Sequence, residues 1–384
     1  MQGLKKPLAG GGDHSLFISS TTHQDGYVWS CGRNVEGELG VGNTMESNIV
    51  RKINQPKNVI SVNAGVNFSI FLDIDGNVWR CGKNDSLGFV PKKKKKNFIP
   101  TKVPGLSHIV QVSCAFSHAL FLDSTGFVWG SGSNEYGQRG SPNTQLRQLA
   151  MIEAEGFPRI QYISAGFFQS GFIDDSGCVW TCGRNHVGQL GLGDQESRFV
   201  PHRLPDIGII VKIAYGGSTF LLLDENGKVF GCGSNDSGQL ILPNGERNFF
   251  TTLVELVNLP PIESIAAGDS HSLFLTVEGT VFACGYNPFG QTGQPVEVEN
   301  QLARIENIPP IAEIECGYFH SILMTKSGEI LTFGANANGQ LGLGPGPANH
   351  RPRRIEVLLG SPPPKRPRVI PMKSARTGEN QNLP

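Results

Sequence analysis

Four histidines recur at one position of a repeated pattern, and imidazole is the side chain here best suited to chemistry. Each follows a small residue by three positions, and Asp13 precedes the first; the set is His14, His118, His271 and His320. Imidazole can bind a metal, move a proton or form directional hydrogen bonds. Two interpretations are open: these histidines bond a neighbouring backbone carbonyl and fix a loop, or with Asp13 they form a partner-binding face.

The other reactive side chains form no catalytic set. Five of the eight cysteines share one repeat position, and Cys114 and Cys316 share another; the five are Cys31, Cys81, Cys182, Cys232 and Cys284. A strand position that recurs in every repeat predicts a core position, where free cysteine packs as a small apolar residue. No paired Cys-x-x-Cys occurs, and the Gly-rich segment 339–346 lacks the Gly-Lys-Ser/Thr of a phosphate-binding loop. We therefore expect no cofactor and no metal, and enzyme activity stays uncertain.

Basic residues concentrate in two segments. Lys92, Lys93, Lys94, Lys95 and Lys96 form one run, and the tail 361–384 carries five basic residues against one acid in a chain that is neutral overall. The proline-rich, basic tail predicts disorder. Each segment is either a solvated surface or a binding site for acidic partners, DNA phosphates or chromatin, and an anionic membrane is a further candidate for the lysine run. Lys365, Arg366 and Arg368 resemble a nuclear-import signal.

Composition bounds the class of protein. Of 384 residues, 49 are glycine, and lysine plus arginine equal aspartate plus glutamate at 33 each. No apolar stretch is long enough for a membrane-spanning helix, and the start of the chain lacks the apolar region of a secretion signal. The expectation is a nuclear or cytoplasmic protein that is not secreted.

The histidines belong to a repeat of about 50 residues that occurs seven times. Each copy has an alternating apolar strand, a small residue, an apolar run, a turn that contains glycine, such as the Asp-x-x-Gly turns at 73–76, 123–126 and 224–227, and a Val-Trp-x-Cys-Gly-like strand. The aromatic or leucine position of this last strand is Trp29, Trp79, Trp129, Trp180, Phe230, Phe282 and Leu331. Short strands separated by glycine turns predict antiparallel sheets.

Seven such units predict an all-β, seven-bladed β-propeller over residues 1–360, with an open β-solenoid as the structural alternative. The first unit has Lys5 where the others have isoleucine or, in the second unit, valine, and the last unit ends soon after Ile355. These incomplete ends look complementary. We therefore expect N- and C-terminal segments to share one blade and close the ring.

The loops after the tryptophan strands resemble one known repeat. Residues 31–40 read CGRNVEGELG, residues 182–191 read CGRNHVGQLG and residues 334–342 read GANANGQLG. Together with the Gly-x-x-His-Ser starts at 11–15 and 317–321, they resemble the regulator-of-chromosome-condensation repeat over residues 4–360. The resemblance implies a seven-bladed propeller. In the founding member of that family such loops bind a small GTPase, which implies a partner-binding role for Asp13 and the four histidines.

Three functions compete under this resemblance: guanine-nucleotide exchange on a Ran-class GTPase, a scaffold for an unrelated protein, and chromatin or nucleic-acid binding. Exchange needs a protein wedge rather than proton chemistry, and the founding exchange factor uses a protruding hairpin. Here only 33 to 36 residues separate each cysteine position from the next small residue, so no blade has room for a long insertion. We therefore rank first a monomeric protein-interaction propeller acting in small-GTPase regulation.

Overall fold

The computed structural model describes residues 5–19, 27–83, 87–88, 98–142, 148–241, 248–295 and 301–356. The lysine run Lys92–Lys96, the import-like residues Lys365, Arg366 and Arg368, and the tail 361–384 lie outside these described residues. The described residues form seven four-stranded antiparallel sheets, which confirms the seven-bladed prediction.

Each blade consists of four strands that are consecutive in the chain. Blade 1 has β1 (Leu8–Gly10), β2 (His14–Ser19), β3 (Tyr27–Gly32) and β4 (Ser47–Ile53). Blade 2 has β5 (Val59–Ala64), β6 (Phe68–Asp73), β7 (Val78–Gly82) and β8 (Thr101–Lys102). Blade 3 has β9 (Ile109–Cys114), β10 (His118–Asp123), β11 (Val128–Gly132) and β12 (Ala150–Met151). Blade 4 has β13 (Ile160–Ala165), β14 (Gln169–Asp174), β15 (Val179–Gly183) and β16 (Arg198–Arg203).

The remaining blades follow the same plan. Blade 5 has β17 (Ile210–Tyr215), β18 (Thr219–Asp224), β19 (Val229–Ser234) and β20 (Phe249–Glu255). Blade 6 has β21 (Ile262–Ala267), β22 (His271–Thr276), β23 (Val281–Gly285) and β24 (Ala303–Arg304). Blade 7 has β25 (Ile311–Cys316), β26 (His320–Thr325), β27 (Ile330–Gly334) and β28 (Asn349–Arg354).

The Asp-x-x-Gly turn between the second and third strands is a self-contained unit. In blade 2, Asp73 Oδ1 accepts hydrogen bonds from the backbone N–H groups of Asp75 and Asn77, and its Oδ2 accepts one from Trp79 Nε1 at 2.8 Å. Gly76 has a φ of +76°, a left-handed conformation that glycine adopts without strain. The aspartate therefore ties the turn to the tryptophan of the next strand.

The first strand of every blade faces the axis of the ring, where neighbouring first strands contact one another and line a central channel. Between blades, apolar side chains from both sheets form shared clusters. Leu16 and Val28 of blade 1 pack with Val62 and Phe71 of blade 2. The core is thus a circle of interfaces rather than a single centre, as expected of a repeat architecture.

Ring closure differs from the prediction. β1 and β4 both belong to blade 1, and β25 and β28 both belong to blade 7, so the first and last strands of the described residues share no sheet. Although β1 has only three residues, it pairs with β2 in the register Leu8 to Phe17 and completes the inner edge of blade 1. Both terminal blades are therefore complete, and the ring closes by packing between their faces.

That closing interface resembles the others in its composition. Leu8, Phe17 and Val50 of blade 1 pack with Ile322 and Ile355, the latter from the end of blade 7. Lys6 and Glu315 form an ion pair with a 3.1 Å separation across the same seam. The apolar burial supplies most of the contact, while the partly exposed ion pair contributes little.

Candidate functional site

The antiparallel order of the strands gives the ring two distinct faces. We call loop face the side formed by the turns after the first strands and by the loops after the third strands. The first-strand turns are 11–13, 65–67, 115–117, 166–168, 216–218, 268–270 and 317–319. The opposite side, the turn face, carries the Asp-x-x-Gly turns. Asp13 and the four predicted histidines all lie at the loop-face end of their blades.

The histidines bridge neighbouring blades. Each side chain is buried, and its Nε2 lies within hydrogen-bond distance of a serine hydroxyl on the next blade. The pairs are His14 with Ser69 at 2.9 Å, His118 with Ser170 at 2.9 Å, His271 with Ser321 at 2.9 Å, and His320 with Ser15 at 2.8 Å. The last pair joins blade 7 to blade 1.

The serine partner fixes the direction of this hydrogen bond. Ser69 Oγ donates its single hydrogen to the carbonyl oxygen of Glu38 at 2.7 Å, so it accepts the hydrogen carried by His14 Nε2. Ser15, Ser170 and Ser321 donate in the same way to the carbonyls of Gln340, Gln138 and Gln291. Both the histidine and the carbonyl come from one blade and hold the serine of the next. We call this three-group arrangement the latch.

The small residue before each histidine leaves space for the ring. A Cβ added to Gly268 or Gly317 would overlap the imidazole of His271 or His320 in the same blade. The Nδ1 atoms of all four histidines are buried without a hydrogen-bond partner. A second proton there would therefore place a charge in a site that offers it no acceptor.

Burial accordingly lowers the pKa of these imidazoles. The pKa of His14, His118 and His271 falls to about 3, and that of His320 to about 4. Repulsion from His320 in its protonated form and from Arg33 lowers the pKa of His14 further. The histidines are therefore neutral hydrogen-bond donors at physiological pH.

Two of the three interfaces without histidine change both partners together; the third, between blades 5 and 6, has Thr219 at the histidine position but keeps Ser272 at the serine position. Blade 2 has Phe68 at the histidine position, and it packs in one apolar cluster with Ala119, which replaces the serine on blade 3. Blade 4 has Gln169, whose amide donates to the carbonyl of Gly217 at 3.1 Å, and blade 5 has Phe220 at the serine position. These substitutions fit a paired structural role.

The structure therefore supports the structural interpretation of His14, His118, His271 and His320, with a serine hydroxyl instead of the expected backbone carbonyl as acceptor. Buried inside the interfaces, they present no surface to a partner. Asp13 is different: it is half-buried on the loop face, and Gln340 Nε2 lies 3.4 Å from its Oδ1. Of the predicted partner-binding residues among the described ones, Asp13 alone faces solvent.

The glutamine of each Asn-x-x-Gly-Gln loop organises the loop that supplies the latch carbonyl. In blade 3, Gln138 Oε1 accepts from the backbone N–H of Tyr136, and Asn134 Oδ1 accepts from the N–H of Arg139. The same two bonds recur in blade 7 through Gln340 and Asn336. Side chains that fix their own loop leave its outward positions free to vary.

Blade 1 carries Glu38 at this glutamine position. The side chain is fully buried, its Oε2 accepts from the N–H of Glu36 at 2.8 Å, and its Oε1 has no partner among the described residues. Burial raises the pKa of this carboxyl, against the opposing effect of backbone hydrogen bonds and Arg33. A neutral amide would suit the position better.

Aromatic rings on the loop face were not anticipated from the sequence. Phe116 of blade 3 and Phe167 of blade 4 meet Tyr318 of blade 7, with ring centroids 6.4 and 4.2 Å from the tyrosine ring. Blades 3 and 4 lie opposite blade 7 in the ring, so these three rings meet over the mouth of the central channel. They occupy turn positions that differ from repeat to repeat, which is why no repeat pattern marks them.

The central channel encloses about 410 Å³ and is lined by both signs of charge. Lys212 Nζ donates to Ser264 Oγ at 2.6 Å, and burial lowers the pKa of its ammonium. Burial raises the pKa of Glu313, and Lys212 is the largest opposing influence. Within the described ranges no group of three His, Cys, Asp or Glu side chains is placed to hold a metal ion.

Comparisons with known proteins agree with this architecture. A family model described as the RCC1-like domain matches residues 2–251, and models of the regulator of chromosome condensation (RCC1) repeat match residues 262–291, 311–340 and 327–373. The chain belongs to the RCC1-like domain family. The predicted resemblance is confirmed.

Among curated relatives of this RCC1-like propeller is the mouse secretion-regulating guanine nucleotide exchange factor. It is 30% identical over 126 residues, which cover 32% of this chain and 27% of the mouse protein. The chain thus matches only about a quarter of that relative's length.

Solved structures show the same fold. Yeast (Saccharomyces cerevisiae) Prp20p superposes with a TM-score of 0.77 at 22% identity, covering 93% of this chain and 87% of Prp20p. Human WBSCR16 has a TM-score of 0.76 at 23% identity, covering 86% of this chain and 94% of the human chain. In the described part of the RCC1-like chain, no helix is long and apolar enough to cross a membrane.

The lowered histidine pKa values predict acid sensitivity. The unfolded chain protonates histidine near pH 6.5, whereas the folded chain resists protonation down to about pH 3, so the free energy of unfolding falls as pH drops between these values. His271→Gln should reduce the slope of the free energy of unfolding against pH by about 1.4 kcal/mol per pH unit, the value for one proton. Urea unfolding at several pH values measures this slope. His202→Gln, at an exposed site, is the control, and parallel curves for His271→Gln and wild type would contradict the latch geometry.

Glu38→Gln should stabilise the protein at neutral pH. The raised pKa of Glu38 means that the folded state loses stability as pH rises past the carboxyl's unfolded pKa of 4.5. At pH 7.5 the free energy of unfolding of the variant should exceed that of wild type by about 1 kcal/mol, which is the usual cost of an unsatisfied buried acceptor. Near pH 4 the difference should be small. Gln138→Glu, at the equivalent position of blade 3, should show the reverse. A variant no more stable than wild type at pH 7.5 would refute this assignment.

Proposed function

We propose that this RCC1-like propeller regulates a small GTPase by binding it with the loop face. The observation that carries the proposal is the accumulation there of half-buried and exposed aromatic rings beside Asp13. Aromatic side chains are enriched at protein interfaces, because they bury much apolar area with few rotatable bonds.

Relatives support a GTPase as the partner. The mouse relative is named a guanine nucleotide exchange factor, and the report of the Prp20p structure names binding to Gsp1p and to histones. Those properties belong to those proteins, and a shared fold does not transfer a function. They make a Ran-class GTPase the first partner to test.

Exchange activity is the narrower form of the proposal. An exchange factor lowers nucleotide affinity by distorting the phosphate and magnesium site of the GTPase, so it needs contact rather than an acid, a base or a nucleophile. The short spacing between repeats argues against a long wedge in any blade. We therefore expect binding to the GTPase, with accelerated nucleotide release as a separate outcome of the same experiment.

A Ran-class GTPase should bind the full-length protein at micromolar concentration, and Asp13→Arg should weaken binding by at least about tenfold through charge reversal on the loop face. Binding of immobilised GTPase loaded with GDP or with a GTP analogue measures this, and release of fluorescent GDP, with EDTA as positive control, reports exchange. Asp206→Arg, an exposed residue on the turn face, should bind like wild type. Failure to bind either nucleotide state would exclude this GTPase.

Chromatin or nucleic-acid binding through Lys92–Lys96 and the basic tail is the alternative, favoured by the histones named for Prp20p. Nuclear import through Lys365, Arg366 and Arg368 would accompany it. Both remain predictions. Electrostatic binding of this kind weakens steeply with salt, so an absence of duplex DNA binding at low salt would remove the alternative.

A further inference from the structure

The three rings over the channel mouth are the centre of a longer aromatic surface. On one side, Phe116 contacts Phe168 at 4.9 Å between centroids, and Phe168 contacts Tyr136 at 5.5 Å. On the other side, the residue after Tyr318 is Phe319, whose ring lies 5.7 Å from that of Phe289. We call this surface the aromatic stripe; it crosses the loop face from Tyr136 to Phe289.

The stripe is exposed at Phe116 and Phe289 and half-buried at the other rings. Phe116 is 36% exposed and Phe289 is 38% exposed, although each has aromatic neighbours that could have buried it. Contiguous exposed apolar surface is uncommon in soluble proteins and marks sites that another molecule covers. At the Tyr136 end, the guanidinium of Arg184 already lies 5.6 Å from the ring of Phe168.

Two carboxylates flank the middle of the stripe. The N–H of Tyr318 donates to the carbonyl of Gly11, two residues before Asp13, and the N–H of Asp269 donates to the carbonyl of Tyr318. Blade 7 therefore holds Tyr318 between the acid of blade 1 and the acid of blade 6. Burial is the main cause that raises the pKa of the Tyr318 phenol, and the charges of Asp269 and Asp13 raise it further.

Neither carboxylate is neutralised by a cation within the described residues. Asp269 accepts from Ser270 Oγ at 3.0 Å, and Asp13 has the amide of Gln340 at 3.4 Å. Burial raises the pKa of Asp269, which is the signature of a carboxylate that lacks a charge partner. Both acids act electrostatically on the Tyr318 phenol, so a cation placed at Tyr318 would be attracted to both acids and to the ring.

We propose that the aromatic stripe docks a partner segment in which a lysine or arginine is flanked by apolar residues. The cationic group lies over Tyr318 between Asp13 and Asp269, and the apolar neighbours cover Phe116 on one side and Phe289 on the other. Charge complementarity selects this occupant, since a neutral apolar segment would cover both carboxylates and leave them desolvated.

This inference deepens the proposed function, because it names the chemistry that the loop face recognises, and it rests on that function only for the identity of the natural partner. Its test contains no GTPase. A protein that binds basic–apolar peptides but no GTPase would refute the proposed function alone, and the opposite result would refute this inference alone.

The experiment measures fluorescence anisotropy of a labelled peptide, Gly-Leu-Arg-Leu-Gly-Leu-Arg-Leu-Gly, titrated with the full-length protein. Matched peptides carry glutamine or glutamate in place of both arginines. The arginine peptide should bind at least about tenfold more tightly than the glutamine peptide, and the glutamate peptide should not bind. Equal affinity of the arginine and glutamine peptides would overturn the proposal.

Variants locate the site. Asp13→Asn combined with Asp269→Asn should weaken the arginine peptide by about tenfold, and Phe116→Ser by about fivefold. The controls on the turn face, Asp75→Asn and Ile74→Ser, should leave binding unchanged. Unchanged binding to the loop-face variants would overturn the proposal, as would equal loss in the controls. If a peptide of residues 361–384 binds with the same dependence on both aspartates, the occupant is this chain's own tail and the separate partner is wrong.

Discussion

The hydrogen bond from a buried imidazole to a serine on the next blade sets the alignment of four of the seven blade interfaces, including the one that closes the ring. Apolar packing between sheets supplies the larger share of stability, but it has little directional preference. The latch adds direction, because the serine oxygen must meet both the His Nε2 and a backbone carbonyl of one neighbouring blade. His320 and Ser15 form the same latch between the last and first blades. The closing interface is therefore held by the same hydrogen bonds as three of the interfaces inside the ring.

This inward use of polar side chains separates the scaffold from the surface for which we propose partner binding. Histidine, serine, asparagine and glutamine of the repeat are turned toward the interfaces and toward their own loops. The two positions after each small residue lie in the turns of the loop face and take no part in the latches. Asp13, Phe116, Tyr318 and Asp269 all occupy such positions. The docking surface that we propose therefore consists of turn residues that differ between repeats, on a frame that the repeated residues hold.

The sequence predicted the repeated part of the structure well and the unrepeated part poorly. Seven blades follow from the spacing of Trp29 and its equivalents, because each unit buries its faces only by stacking on the next. Ring closure was predicted wrongly, because strand pairing of a three-residue segment such as β1 leaves no clear pattern. The role of His14 stayed undecided, since spacing within one repeat does not reveal a contact one blade away. The meeting of Phe116 with Tyr318 exists only once opposite blades face each other across the closed ring.

The latch at the seam can be tested by exchanging it for the apolar pair that blades 2 and 3 already use. His320→Phe and Ser15→Ala reproduce Phe68 and Ala119, and urea unfolding gives the stability of each single variant and of the double variant. Each single change should cost about 1–3 kcal/mol, because it leaves one buried partner unsatisfied. The double variant should lose less stability than the two single variants combined, and the difference, the coupling energy, should be about 0.5–3 kcal/mol. Additive losses would show that the two residues do not act together and would contradict this account of how the ring closes.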